Sequence, residues 1–135
     1  MSAAEIASLG GLGAAVVALL LNAYSTLLSA RAADVSSYLE ITDRFPKAWR
    51  RFRDSTEENK QFEIVEVLNL IESACHLLRL RRFQKATSEM LELYLKEVVA
   101  GIATGDMTAV RKSITSDETY EEIRKFAERQ GIKFF

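Results

Sequence analysis

The chain has very little of three residue types that often carry chemistry or brace a fold: it has one cysteine, one histidine and one proline. The lone Cys75 excludes a disulfide within the chain and fits a reducing compartment. A metal site needs several His, Cys, Asp or Glu ligands that converge, and His76 is the only histidine. Pro46 is the only proline, and no long Gly/Ser/Pro-rich linker interrupts the chain. The sequence therefore predicts no disulfide, no metal ion and no flexible linker.

Motifs for catalysis are also missing. No Gly-x-Gly-x-x-Gly or Walker sequence occurs, and no serine and acid stand out as partners for His76. Cys75 and His76 are neighbours on a predicted helix, so their side chains point about 100° apart, which favours a core cysteine beside a half-exposed histidine. Glu63, Glu66 and Glu72 share that helix, but paired-carboxylate chemistry also needs a pocket. We expect a protein that is not an enzyme and needs no cofactor.

Charge is absent from one long stretch. From Ile6 to Ala30 the chain has 25 residues without Asp, Glu, Lys or Arg. As a helix this stretch is about 38 Å long, whereas a bilayer core of about 30 Å needs about 20 apolar residues. The sequence predicts a transmembrane helix over residues 1–31. A cleaved secretory signal and a buried core helix are the alternatives, although no Lys or Arg precedes the stretch as in a signal peptide.

Positive residues follow the stretch and are absent before it. Lys and Arg accumulate on the cytoplasmic side of membrane spans. The remainder, residues 32–135, is therefore expected to be a cytoplasmic domain below a bacterial inner membrane. The positive residues that give this orientation are Arg31, Arg44, Lys47, Arg50, Arg51 and Arg53.

Small and polar residues recur along the apolar stretch at steps of three and four. Residues with this spacing share one helical face. Small residues let membrane helices approach closely, and polar ones bond across the interface. The pattern predicts self-association, or a face turned to a water-filled lumen, whereas the plainer interpretation is that Gly and Ala are simply common in membrane helices. The stripe consists of Gly11, Ala14, Ala18, Asn22, Ser25 and Ser29.

Residues 32–135 are balanced in charge and helical in pattern. Eighteen of the 19 acids follow Arg31 (all but Glu5) and meet 18 Lys and Arg, a balance that argues against a dedicated nucleic-acid binder. No period-two clusters of Val, Ile and Thr occur. The predicted fold is all-α, with the N-terminal helix continuing into a bundle of about four to five helices.

Helix boundaries follow from periodicity and capping signals. Pro46 predicts a break over residues 42–45, because the residue before a proline is biased out of helix. Ser55 with Glu58, and Thr115 with Glu118, have the spacing of capping boxes. The predicted helices are 32–41, 46–54, 55–79, 87–99, 106–113 and 117–130, the last one stopped by Gly131.

Two of these helices carry clear apolar stripes that should face a core. The longest carries Ile64, Leu68, Ile71, Cys75 and Leu78. The next carries Leu91, Leu95, Val98 and Ile102.

Basic residues alternate with aromatic ones between Arg44 and Arg53. Three interpretations stay open: an ordinary amphipathic helix with Phe45, Trp49 and Phe52 in the core, a surface for lipid or a partner protein, or RNA contact through stacked bases. The candidate basic surface comprises Arg50, Arg51, Arg53, Arg79, Arg81 and Arg82.

The segment Val67–Ala74, followed by a basic turn and by Met90–Tyr94, is similar to a family of small bacterial proteins. These have one transmembrane helix and a helical cytoplasmic domain of uncharacterised function. The hallmark Leu-Asn-x-x-Glu helix is matched by Leu68, Asn69 and Glu72, and the last two share a face. Over residues 8–100 the layout also resembles the membrane accessory protein of RNA-targeting CRISPR (type VI-B) systems.

That resemblance implies oligomerisation through the N-terminal helix and a role in phage defence. HEPN-type domains carry Arg-x4-6-His, but the matching positions before His76 are Asn, Leu and Ile, which argues against such an RNase. The leading hypothesis is a single-pass, homo-oligomeric membrane protein that forms a pore or perturbs the membrane. A tethered adaptor for a cytoplasmic protein or RNA partner is the alternative, and a tethered enzyme is the third.

Overall fold

Five helices make up the structure, a computed structural model that describes residues 2–134, except for the side chains of Ala7 and Leu9. Within the described residues there is no strand, so the predicted all-α fold is confirmed. Met1 and Phe135, at the ends of the two predicted domains, lie outside the description. The helices are α1 (Ala3–Asp54), α2 (Glu57–Arg79), α3 (Lys85–Ala103), α4 (Thr108–Ser113) and α5 (Glu121–Arg129).

The chain divides into two compact units, Met1–Val35 and Ser36–Phe135. The first unit is the N-terminal part of α1, and its described side chains from Ser2 to Ala33 are exposed. Helix α1 is long and apolar enough to cross a membrane, and the rest of the chain does not cover its apolar window. Among its large exposed side chains are Leu12, Val16, Leu19, Leu20, Leu21, Tyr24, Leu27 and Leu28.

The predicted break before Pro46 is wrong, because α1 runs unbroken through this residue to Asp54. Proline has no amide proton for the carbonyl of Thr42, and an interior proline costs a helix about 3 kcal/mol. Packing outweighs that cost, since Ala48 is fully buried and Phe45, Trp49 and Phe52 lie against the core. Full burial of a large apolar side chain contributes about 1.5–3 kcal/mol, so these three partly buried aromatic side chains together offset the cost of the proline.

Helix α2 lies at the centre of the second unit and contacts α3, α4 and α5. Its predicted apolar stripe is confirmed for Ile64, Leu68, Ile71 and Cys75, which are all buried, while Leu78 is partly buried. In α3 the predicted stripe is right at three positions, but Val99 is the fully buried residue and Val98 only borders the core. The remaining large buried side chains include Val110, Ile123 and Phe126.

Both predicted capping boxes are wrong. Helix α2 begins after Thr56, and the Ser55 hydroxyl donates to the carbonyl of Phe52 at 2.6 Å, so it closes the end of α1 instead. Helix α5 begins only at Glu121. The Thr119 hydroxyl accepts the amide protons of Thr115 and Ser116, which holds residues 115–119 in a turn before the helix.

The predicted stop at Gly131 is confirmed. Gly131 has φ +69°, the left-handed conformation that glycine adopts without strain. Its amide donates to the carbonyl of Glu128 at 3.1 Å, and the Ile132 amide donates to that of Ala127 at 2.8 Å. These two bonds form a Schellman motif at the end of α5.

The proline within α1 leads to a stability prediction. The Pro46→Ala variant regains an amide proton for the Thr42 carbonyl, so its free energy of unfolding should rise by about 1–3 kcal/mol. Denaturant titration of the full chain in detergent, followed by the fluorescence of the single tryptophan Trp49, measures this. Lys47→Ala, at the next exposed position, is the control and should change stability by less than about 0.5 kcal/mol. A less stable Pro46→Ala variant would contradict the packing argument.

Candidate functional site

The predicted stripe on α1 occupies one narrow face. At 100° per residue, its six positions from Gly11 to Ser29 fall within about 80° around the helix axis and extend over about 27 Å. All six residues are exposed, and nothing lies within 4 Å of a Cβ built on Gly11. Large side chains such as Val16 and Leu20 occupy the opposite side. The helix therefore has one smooth face of small and polar residues and one bulky apolar face.

Asn22 is the strongest hydrogen-bonding group on this face. Its backbone carbonyl accepts the Thr26 hydroxyl at 2.8 Å, so Thr26 satisfies its own donor within the helix. Within residues 2–134, nothing bonds the Asn22 side-chain amide. A carboxamide is costly to leave unpaired in hydrocarbon, so in a bilayer this side chain needs a neighbouring helix or water.

The two residues of the family-like motif have different surroundings. Glu72 reaches across to α5, where its carboxylate accepts the amide protons of Glu122 at 3.0 Å and Ile123 at 2.9 Å. These are the second and third residues of α5, whose amides have no partner inside the helix. Glu72 thus does from another helix what the N-cap side chain normally does.

The local chain explains why this remote cap is needed. Tyr120 is the residue before α5, it has φ 56° and ψ 42°, and its side chain makes no capping bond. A carboxylate at a helix N-terminus also interacts favourably with the helix dipole. Glu72 therefore supplies both the missing acceptor and a favourable charge.

The side chain of Glu122 is held by α2 as well. Arg79 Nε lies 2.8 Å from its Oε2 and 2.9 Å from its Oε1, and His76 Nδ1 lies 3.6 Å from Oε1. The Glu122 side chain is only 13% exposed. Burial acts to raise the pKa of this carboxyl, but the hydrogen bonds and charges of Arg79 and His76 outweigh it, so the pKa lies below its ordinary value. Glu72, His76 and Arg79 together fasten α5 to α2.

Asn69 does not join this network. It is exposed and lines a groove of about 350 Å³ between the Ser37–Arg44 segment of α1 and the middle of α2. Glu66 and Ser73 line the same groove. Asn69 makes no hydrogen bond to its side chain within the described residues, so its amide is open to a partner outside the chain.

The basic residues form two separate groups within the second unit. Arg50, Arg51 and Arg53 lie near the end of α1, where Arg51 is 3.5 Å from Glu63 and Arg53 is 3.9 Å from Asp54. The other group, Arg79, Arg81 and Arg82, lies at the end of α2. Only Arg79 in that group has an ion pair among residues 2–134.

The aromatic residues of the Arg44–Arg53 stretch pack on one another and on the core. Phe45 stacks on Trp49 with ring centroids 6.1 Å apart, Trp49 lies 5.4 Å from Phe52, and Phe45 meets Tyr94 edge-on. This packing agrees with the first of the three interpretations of the stretch, an ordinary amphipathic helix whose aromatic side chains lie against the core. Trp49 and Phe52 also line a groove of about 530 Å³, but its charges are mixed and Lys60 there is paired with Glu57 at 2.7 Å.

The side chains that could in principle take part in catalysis or metal binding are engaged in structural contacts. Cys75 is buried, and its burial, followed by the charge of Glu72, raises the pKa of the thiol to about 12, so it is protonated and unreactive at neutral pH. His76 is half exposed and faces Glu122 and Arg79. Across residues 2–134, no three His, Cys, Asp or Glu side chains are grouped so that they could hold a metal ion.

Sequence reasoning singled out Glu72 and Arg79 but missed their shared partner, Glu122. No signal at positions 120–123 connects them to α2, because the contact spans about 50 residues. Comparisons with protein-family models, with curated proteins and with solved structures found no match for this chain.

The remote cap leads to a prediction about α5. In the Glu72→Gln variant an amide group replaces one acceptor oxygen and the charge is lost, so the free energy of unfolding should fall by about 1–2 kcal/mol. Hydrogen exchange should accelerate first at the amides of Glu122 and Ile123. Glu66→Gln makes the same change on the same helix at an exposed position and should leave exchange in α5 unaltered. Unchanged protection in Glu72→Gln would show that the cap is not needed.

The lowered pKa of Glu122 predicts an acid-sensitive contact. Its folded pKa lies below the ordinary 4.5, so its contribution to stability is present above about pH 4.5 and is lost as the pH falls through the folded value. Unfolding titrations between about pH 3 and pH 7 should show stability declining at the acid end. Arg79→Gln should weaken that decline, because it removes the main cause of the lowered pKa. Lys125→Gln, which breaks an exposed pair with Glu121, is the control, and an equal effect of both variants would refute the assignment.

Proposed function

We propose that this chain is a single-pass membrane protein that homo-oligomerises through the stripe on α1, with the second unit on the cytoplasmic side of a bacterial inner membrane. The observation that carries the proposal is the uncharged stretch of α1 from Ile6 to Ala30, whose described side chains are exposed and which has a single face of small and polar residues. A bilayer is the solvent in which so much exposed apolar surface is stable.

The stripe supports self-association rather than simple anchoring. In lipid, helices associate through close packing of small residues and through hydrogen bonds between polar ones. Gly11, Ala14 and Ala18 offer the first kind of contact, and Asn22, Ser25 and Ser29 the second. A helix that only anchors a domain needs neither. The Arg31 side is assigned to the cytoplasm because positive residues follow the stretch and do not precede it.

A role in phage defence is the finer proposal, and it rests on the resemblance to the accessory protein of RNA-targeting CRISPR systems. In that role an assembly of α1 helices would perturb the membrane or form a pore, with Asn22, Ser25 and Ser29 facing the lumen. Conductance across a planar bilayer separates a pore from a closed bundle. In a pore, Asn22→Leu should lower the conductance, because it replaces a polar lumen group by an apolar one.

An adaptor is the second candidate, favoured by the groove that carries Asn69. This exposed amide, with Ser37, Glu66 and Ser73 around it, offers hydrogen bonds to a protein or RNA partner. An adaptor has no need of a discrete oligomer. The number of copies in the assembly therefore distinguishes the two candidates.

The test of self-association uses a matched pair of substitutions. Ala18 lies on the stripe and Ala23 on the opposite side of the helix, and both are exposed. Ala18→Leu should separate the helices and weaken association by about 1–2 kcal/mol per contact, whereas Ala23→Leu should have little effect. Light scattering of the detergent-solubilised full chain gives the mass of each. If the unaltered chain is a monomer, or if the two variants have equal effects, the proposal of self-association is wrong. The adaptor with its Asn69 groove is then the candidate to test.

A further inference from the structure

The turn that follows α2 departs from the usual chemistry of a helix end. Arg81 has φ 53°, the left-handed conformation that non-glycine residues avoid. Its amide donates to the carbonyl of Leu78 at 3.2 Å, and that of Arg82 donates to Leu77 at 3.4 Å. This is the Schellman arrangement found at the end of α5, where the equivalent residue is Gly131. The chain thus retains an arginine where glycine is the unstrained choice.

The surroundings of Arg81 are cationic and open. No acidic residue occurs from Ser73 to Ser88, while four Lys and Arg residues do. Arg81 and Arg82 are exposed and have no ion pair among the described residues, and Leu80 between the arginines is 41% exposed. In the cationic turn, defined as Arg79–Lys85, Arg79 is paired with Glu122 and Lys85 lies 4.0 Å from Glu89, so the unpaired positive charge is that of Arg81 and Arg82, beside the exposed Leu80. This is the composition of a surface that binds anionic lipid headgroups.

The position of the cationic turn in the second unit also favours contact with lipid headgroups. Only Ser55 and Thr56 separate α1 from α2, Arg51 lies 3.5 Å from Glu63, and Ser37 lines the same groove as Leu77, so the part of α1 within the second unit runs antiparallel to α2. The cationic turn is therefore at the end of the unit where the chain enters, at Ser36. Ser36 follows Ala30, the end of the uncharged stretch, by six positions, a distance of at most about 20 Å. Arg50 and Arg53, by contrast, are about 21–26 Å further along α1.

We infer that the cationic turn docks on the anionic headgroups of the bilayer in which α1 is anchored. The inference rests on the proposed membrane anchor and adds a second, electrostatic contact to it. Arg81, Arg82 and Lys85 face the phosphates, and Leu80 enters the headgroup layer. Each cation raises the affinity for an anionic surface by a factor of about five, and salt screens this attraction.

Because Arg81 is strained, one substitution there can separate its effect on the stability of the fold from its effect on docking. Arg81→Gly relieves the left-handed conformation, so it should stabilise the fold while it weakens docking. A residue kept for structural reasons alone would not show these opposite effects. Arg82→Gln removes a second cation without changing the backbone. Arg50→Gln with Arg51→Gln is the matched control, because it removes the same number of charges at the far end of the unit.

The experiment places an environment-sensitive fluorophore on Ala86→Cys in the full chain, since the buried thiol of Cys75 will not react. The protein is reconstituted into vesicles of phosphatidylcholine, alone or with phosphatidylserine as about one third of the lipid. In vesicles with phosphatidylserine, we expect spin-labelled lipid to quench the fluorophore at least about twofold more strongly than in vesicles of phosphatidylcholine alone. High salt should remove this gain. Arg81→Gly with Arg82→Gln should abolish the gain, and the control pair should retain it.

Carbonate washing of the same vesicles separates the two ideas. A chain that is extracted by carbonate refutes the membrane anchor itself. Two results would overturn the docking inference while leaving the membrane anchor intact, in a chain that resists extraction. Either phosphatidylserine does not change the quenching, or the Arg81→Gly/Arg82→Gln variant is quenched as strongly as the unaltered chain. Added RNA is the final arm: an arginine-dependent change of emission with RNA and none with phosphatidylserine would mean that the turn binds nucleic acid, and the inference would be wrong.

Discussion

The carboxylate of Glu72 is the polar contact on which the C-terminal part of the second unit depends. Helix α5 has nine residues and α4 has six, and helices this short are not stable alone in water. Burial of Val110 supplies an apolar contribution to the stability of α4, and burial of Ile123 and Phe126 supplies one to α5. Glu72 supplies a polar contribution to α5, in addition to the Arg79–Glu122 ion pair, because it takes up two amide protons that would otherwise be desolvated without a partner. The central position of α2 makes both contributions available from one helix.

The two units differ in where their apolar side chains lie. In the second unit apolar residues are sequestered, and the buried Ser113 hydroxyl is satisfied internally, because it accepts from the Gln61 amide and donates to the Ala109 carbonyl. In the first unit the large apolar side chains are exposed, while the backbone groups are bonded within the helix, an arrangement that a helix in hydrocarbon also has. A single continuous helix, α1, belongs to both.

The parts of the fold that could be predicted from sequence are those set by local periodicity. The spacing of Ile64, Leu68 and Ile71 identifies the buried face of α2, and Gly131 marks the end of α5. Prediction failed where tertiary packing or a competing local bond decided the outcome. Pro46 stays in a helix because its neighbours are buried. The capping signals at Ser55 and Thr115 lose to other local bonds, those with Phe52 and Thr119. Arg79 and Glu72 were singled out for their type and spacing, but their partner on α5 depends on tertiary packing that no local pattern encodes.

The sequence separation of the Glu72 contact also sets an order of assembly. Bonds between Glu72 and the amides of α5 join residues about 50 positions apart, whereas α1, α2 and α3 are joined by short turns. Loop-closure entropy delays long-range contacts relative to local ones. As the chain leaves the ribosome, Glu72 emerges about 50 residues before its partners in α5. Glu72 therefore stays without those partners until α5 has been synthesised, and α5 docks after the local contacts of α2 and α3 can form.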